Sequence, residues 1–304
     1  MDNQSAKKSI LCPAMVLSIA ALISCQDPSS ISISASTPTP DAETLILETS
    51  NSIESTHPSS ETASLWESDL STPNWLTQWQ PRQEKSWGLN NVEIVSMTTP
   101  PFEHILRVHY PAGSASPSVA RNTDSPLGGA QFYGDLFIPA QDKMQLTYYV
   151  RFANGFDFVK GGKLPGLFGG TGASGGSIPN GTDGFSARLM WRQNGQGEVY
   201  AYMPTSENYG TSIGRGTWTF QPNTWYKVTQ EIQLNTPNIN DGQIRLWIND
   251  SLVLEKGDLL FRTVNSLQVD GIFFSTFFGG SDSSWATPQD TYIDFANFSV
   301  SVVN

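Results

Sequence analysis

Apolar and polar residues alternate one by one along much of the chain. In "QIRLWIN" (243–249), Ile244, Leu246 and Ile248 fall on one side and Gln243, Arg245 and Asn249 on the other. A period of two marks a β-strand with one buried face. "HILRVHY" (104–110), "MQLTYYVRF" (144–152), "FSARLMWRQ" (185–193) and "EVYAYM" (198–203) are strand-like too, as are "WYKVTQEIQL" (225–234), "GIFFSTFF" (271–278) and "TYIDFANFSV" (291–300). They are rich in aromatic and β-branched residues, and Gly, Asn, Asp and Pro clusters separate them. No long helical period and no internal repeat interrupts them. So many antiparallel strands predict an all-β fold, a two-sheet β-sandwich of the jelly-roll kind.

The N-terminal region breaks this pattern. Lys7 and Lys8 precede a mostly apolar run, Ser9 to Ser24, interrupted by Pro13. The run is too short and too broken for a good spanning helix, and residues 1–24 read as a secretory signal peptide. Leu22, Ile23, Ser24 and Cys25 resemble the bacterial lipobox, in which the cysteine is lipidated and becomes the mature N-terminus; ordinary cleavage at a small residue is the alternative. Gln26 rather than aspartate follows, which by analogy with Gram-negative lipoproteins favours the outer membrane or cell surface. Residues 25–64 are rich in Ser, Thr, Pro and acid, cannot bury enough apolar surface to order themselves, and read as a flexible stalk. The folded domain is expected over 65–304. Its membrane contact is expected only through the lipid at Cys25, and it is expected to be a monomer.

Charge and cysteine usage narrow the chemistry. The net charge of −11 lies mostly in the stalk; from Arg82 onward 15 basic residues face 19 acidic ones. No basic face is apparent, so nucleic acid is not expected as a partner. The only cysteines are Cys12 and Cys25, so the domain has neither disulfide nor thiol chemistry and depends on its core. His104 and His109 are five apart in one strand and point to opposite faces. With no third histidine in the domain, a metal site is not expected, nor any cofactor.

The remaining chemistry is cationic and phenolic. In "FSARLMWRQ", Ser186, Arg188, Met190 and Arg192 share one face, opposite Phe185, Ala187, Leu189 and Trp191. Such a face must meet solvent or an anion, and arginine matches a carboxylate with paired hydrogen bonds. "EVYAYM" aligns Tyr200 and Tyr202, and the short "NGQG" between the two runs predicts a hairpin that joins these faces. Upstream, "FVKGGKLPGLFGG" (158–170) places Lys160 and Lys163 among five glycines and reads as a loop, either a plain turn or one presenting a lysine to a substrate. Lysine, arginine and paired tyrosines suit β-elimination on a uronic acid polymer. The C5 proton is α to a carboxylate, so the carboxylate must be neutralised, the proton taken and the C4 oxygen protonated. A lysine or tyrosine can take the proton if positive neighbours lower its pKa from about 10.

"GGKLPGL" (161–167), "GFSARLMWR" (184–192) and "EVYAYMP" (198–204), in that order, resemble polysaccharide lyase family 14. "LRVHYPAGSASPS" (106–118), "GGAQFY" (128–133) and "FFGGSDSSWATPQDTYIDFANF" (277–298) extend the likeness over roughly residues 100 to 300. The family includes alginate lyases and viral lyases of glucuronate-containing polymers. The resemblance implies a β-jelly roll with an open cleft and an anionic polysaccharide, alginate or glucuronan in type, as substrate. It also implies catalytic roles at Lys163, Ser186, Arg188, Tyr200 and Tyr202. On that basis Arg188 holds the substrate carboxylate and Ser186 orients it. Lys163 either completes the neutralisation or is the base, and a tyrosine protonates the leaving oxygen or abstracts the C5 proton. Lys160 and Arg192 are further candidates for substrate binding, and Trp247 and Trp285 for stacking on sugar rings. A non-catalytic uronate-binding lipoprotein is the main alternative. A glycoside hydrolase needs two carboxylates flanking the bond, about 5–10 Å apart, and Asp183, Glu198, Glu231 and Asp294 look isolated in the sequence.

Overall fold

Fourteen strands form two antiparallel sheets in the computed structural model, which describes residues 62–303. In chain order they are β1 (Thr62–Glu67), β2 (Val92–Ser96), β3 (His104–Tyr110), β4 (Ala130–Gly134), β5 (Lys143–Phe152), β6 (Gly161–Gly170) and β7 (Gly184–Arg192). There follow β8 (Gly197–Tyr202), β9 (Thr211–Ile213), β10 (Trp225–Gln233), β11 (Gly242–Ile248), β12 (Ser251–Leu259), β13 (Gly271–Phe278) and β14 (Thr291–Val303). The larger sheet runs β12-β11-β10-β5-β14-β3-β2, with β1 also on β14; the smaller runs β4-β13-β6-β7-β8-β9. The one α-helix among the described residues, Pro117–Thr123, starts on Ser116, whose hydroxyl accepts from the Val119 amide.

The alternation read from the sequence decides what lies between the sheets. Met144, Leu146, Tyr148, Val150 and Phe152 of β5 point inward, as do Ile244, Leu246 and Ile248 of β11. Phe185, Ala187, Leu189 and Trp191 of β7 meet them from the smaller sheet. The signal peptide, Cys25 and most of the stalk lie outside the described residues. Strand β1 pairs Thr62 with Val303 and Ala63 with Val302, so the sheet takes in residues 62–64, which the composition assigned to the stalk.

The segment read as a loop, 158–170, is mostly strand β6, central in the smaller sheet between β13 and β7. Its glycines serve close packing rather than a turn. A side chain at Gly162 would put its Cβ 2.1 Å from the Trp191 ring. Pro165, without an amide hydrogen, sits where the β6–β7 pairing skips a residue between Leu164 and Gly166. Groups from the larger sheet complete this irregular stretch. The Tyr148 hydroxyl donates to the Pro165 carbonyl at 3.2 Å. Buried Gln230 accepts from the Leu167 amide at 2.9 Å and donates to the Ala187 carbonyl at 2.7 Å. These bonds lock β6 and β7 together directly behind the candidate residues.

Candidate active site

The β7–β8 hairpin forms as the sequence predicts, with Ser186 opposite Tyr202, Arg188 opposite Tyr200 and Met190 opposite Glu198. On the other side of β7, Met190 is opposite Lys163 of β6. Period-two geometry therefore gathers Lys163, Arg188, Tyr200 and Tyr202 on the outer face of the smaller sheet. The Lys163 Nζ lies 3.7 Å from the centroid of the Tyr200 ring and 2.7 Å from Sδ of Met190. The tyrosine rings meet edge to face, centroids 5.8 Å apart, and the Tyr202 hydroxyl accepts from the Gly176 amide.

Arg188 is the unusual member. It is only 2% exposed, yet no carboxylate among the described residues pairs with it. Its Nη1 donates to Ser275 Oγ at 3.0 Å, its guanidinium sits 4.4 Å from the Phe273 ring centroid, and its Nε has no partner. Ser275 in turn donates to Gln131 Oε1. A buried cation without a counter-charge is costly. Burial lowers the Arg188 pKa. Burial, then the charges of Arg188 and Arg192, holds the Lys163 ammonium well below the usual lysine range, with Glu198 opposing. Tyr200 goes the other way: burial chiefly, with Tyr202 beside it, pushes its phenol up to about 12. An amine that gives up its proton easily thus lies against a phenol that keeps its own.

The other candidates fall in different places. Ser186 is fully buried and its hydroxyl donates to the Ala173 carbonyl at 2.6 Å, which ties down the β6–β7 connection. Arg192 is bound to Glu198 through Nε at 2.8 Å and through Nη2. Lys160 lies before β6, its Nζ 2.5 Å from Ser284 Oγ and 5.9 Å from the Trp285 ring centroid. It borders an open depression of about 590 Å³ that also touches Phe156, Gln193 and Asn194. His109 meets Glu93 at 2.9 Å, and no cluster of three metal-ligating side chains occurs among the described residues. Three of the four acids that look isolated in sequence have cationic partners in space, while Asp183 accepts from the Asn180 amide. Asp294 takes Arg107 and Arg151, Glu231 takes Arg245, and Glu198 takes Arg192 and Arg215. Sequence reasoning missed Gln131, Phe273, Ser275 and Arg215. Gln131 and Ser275 stand opposite each other on β4 and β13, and period two within each strand was the only signal that could have found them.

The fold and this face define a carbohydrate-active β-sandwich built around cations and phenols rather than paired acids. The family model for polysaccharide lyase 14 matches residues 98–298. The chain belongs to that family, and it is a polysaccharide lyase. The crystal structure of the marine PL-14 alginate lyase from Aplysia kurodai is 34% identical to it with a TM-score of 0.68, covering 80% of this chain and 100% of that one. The alginate lyase vAL-1 from Chlorella virus is 20% identical, TM-score 0.65, over 79% of this chain and 100% of its own. The endo-β-1,4-glucuronan lyase from the fungus Trichoderma reesei is 12% identical, TM-score 0.51, over 79% and 96%. The latter two share the fold. No curated protein sequence matches the chain.

Proposed function

We propose that this lyase cleaves an alginate- or glucuronan-type polyuronate by β-elimination on the outer face of the smaller sheet. The observation that carries the reading is the buried, unpaired guanidinium of Arg188 beside Lys163. Arg188 receives the carboxylate of the reacting sugar and stabilises the enolate-like charge that develops there. Lys163, as a neutral amine, takes the C5 proton. The C5–H electron pair becomes the C4–C5 double bond, the C4–O bond breaks, and the hydroxyl of Tyr200 protonates the departing oxygen. One product carries the unsaturated uronate at its new non-reducing end, and the other a new reducing end. Ser186 acts through the Ala173 loop, as a positioning residue.

Base and acid touch each other on one face, so proton removal and oxygen protonation occur from the same side of the sugar. That favours uronates whose C5 hydrogen and C4 oxygen are syn, as in D-mannuronate and D-glucuronate, over L-guluronate, where they are anti. The likeness to the Aplysia alginate lyase supports alginate as the polymer. The test offers polymannuronate, glucuronan and polyguluronate to the protein and follows the ultraviolet absorbance of the new double bond, with Lys163→Ala as control. A rise on the first two that the variant lacks is the expected result. Hydrolysis without unsaturation would refute the reading.

The apolar N-terminal run and the Leu-Ile-Ser-Cys sequence support export and lipid anchoring at Cys25. Metabolic labelling with a fatty acid should mark the wild type and not Cys25→Ala; equal labelling of both would contradict it.

A further inference from the structure

Glu198 is fully buried and lies on the tyrosine side of β8, two residues before Tyr200. One carboxylate here serves two arginines. Oε1 accepts from Arg192 Nε at 2.8 Å, and Oε2 accepts from Arg215 Nε at 2.6 Å and from Ser212 Oγ at 2.5 Å. The trio keeps a net positive charge. Arg215 is half exposed, and neither of its terminal nitrogens has a protein partner among the described residues. A guanidinium held through Nε still offers a planar edge of N–H groups to a second carboxylate.

The backbone presents this edge deliberately. Arg215 sits between Gly214 and Gly216, both at left-handed φ of 65° and 80°. The Gly216 amide donates to the Gly197 carbonyl at 2.9 Å, and the Thr217 amide to Gly214 at 3.2 Å, so the turn is pinned to the start of β8. Register places the group beside the reacting centre: Lys163, Met190 and Glu198 stand in one cross-strand row. The Arg192 guanidinium is 5.7 Å from the Tyr200 ring centroid.

We propose that Arg215 and Arg192, yoked by Glu198, form a second anion-binding station that takes the carboxylate of a neighbouring sugar on the same polyuronate chain. The proposal rests on the lyase reading above. A polyuronate carries one carboxylate per sugar, so a chain whose reacting carboxylate is at Arg188 must bring further carboxylates along this face. Arg215 is then a substrate-binding residue that governs chain-length preference rather than the elimination itself.

The test uses the full chain with Arg215→Gln and Arg215→Lys, assayed on polymer and on uronate oligomers of increasing length. Circular dichroism and melting temperature check folding. In Arg215→Gln, KM for polymer is expected to rise about tenfold, the loss of one charge-assisted contact, with kcat falling by less. The gain in kcat/KM on lengthening the oligomer should shrink, KM should depend less steeply on salt, and Arg215→Lys should recover part of the loss. An unchanged KM and salt dependence in Arg215→Gln, with the wild type active, would overturn the station and leave the lyase reading intact. If the wild type makes no unsaturated product, the lyase reading fails. Calorimetric binding of an uncleaved oligomer then decides the station alone: weaker binding in Arg215→Gln supports it, and equal binding overturns it.

Discussion

The Nζ of Lys163 lies 3.7 Å from the centroid of the Tyr200 ring, with the uncompensated guanidinium of Arg188 on the strand between them. The contact assigns opposite protonic tasks to the two side chains. Burial and the neighbouring guanidinium groups make Lys163 a poor holder of a proton, while Tyr200 holds its own to about 12.

The pH dependence of turnover follows from those directions. The base must be deprotonated, so kcat should rise with pH through a Lys163 pKa depressed below 10.5. The acid must be protonated, so activity should fall only as pH approaches about 12. A pH–rate profile on polymannuronate should show the lower limb well below the ordinary lysine value. Tyr200→Phe should lower kcat by about 10²–10⁴-fold, the usual cost of losing a general acid.

Replacing the lysine separates charge from chemistry. Lys163→Arg keeps a cation but removes a group able to be neutral at working pH, and should lose about as much activity as Lys163→Ala, on the order of 10²–10⁴-fold. Substantial activity in Lys163→Arg would make the lysine an electrostatic partner and return the base to a tyrosine.

The same burial of Lys163, with the cations beside it, should cost stability. A Lys163 pKa lower in the folded than in the unfolded chain means that the unfolded chain binds more protons between the two values. Stability therefore rises with pH across that window, and the penalty is complete below it. Lys163→Met should raise Tm at neutral pH, by about 2–4 °C for each kcal/mol relieved. The gain should shrink as pH climbs toward the unfolded value, and activity should be lost. Calorimetry at two pH values measures it; a lower Tm at neutral pH would contradict the picture.

Gln230 reaches from the larger sheet to the irregular β6–β7 pairing. Gln230→Leu would leave the Leu167 amide and the Ala187 carbonyl unpaired in the core, at a cost of about 1–3 kcal/mol for each unsatisfied group. Denaturant unfolding should show that loss. Turnover should fall while Gln230→Glu, which can still accept from Leu167, keeps more of it. An unperturbed Gln230→Leu would show that the pairing does not need the side chain.

Much of this was legible in the sequence because period two is written directly into it. The strand 185–193 and the face holding Arg188 with Tyr200 and Tyr202 followed from it and the short turn, whereas 271–278, apolar without alternation, was legible from its aromatic residues. Strand β6 was not legible, because its glycines and Pro165 look like a turn locally. They become a strand only where Trp191 packs against Gly162 and Gln230 and Tyr148 satisfy the irregular backbone. The partnerships of Glu198, and the burial of Ser186 on the Ala173 carbonyl, depend on contacts across the fold that no spacing reveals.

The most direct test of the central claim is a nuclear magnetic resonance titration of the Lys163 side chain, in protein with labelled lysine and assigned through Lys163→Arg. A Lys163 resonance that titrates well below 10.5, and moves back toward that value in Arg188→Gln, is the expected result. A Lys163 that stays protonated until the ordinary lysine range, unaffected by loss of Arg188, would contradict the assignment of a neutral amine base.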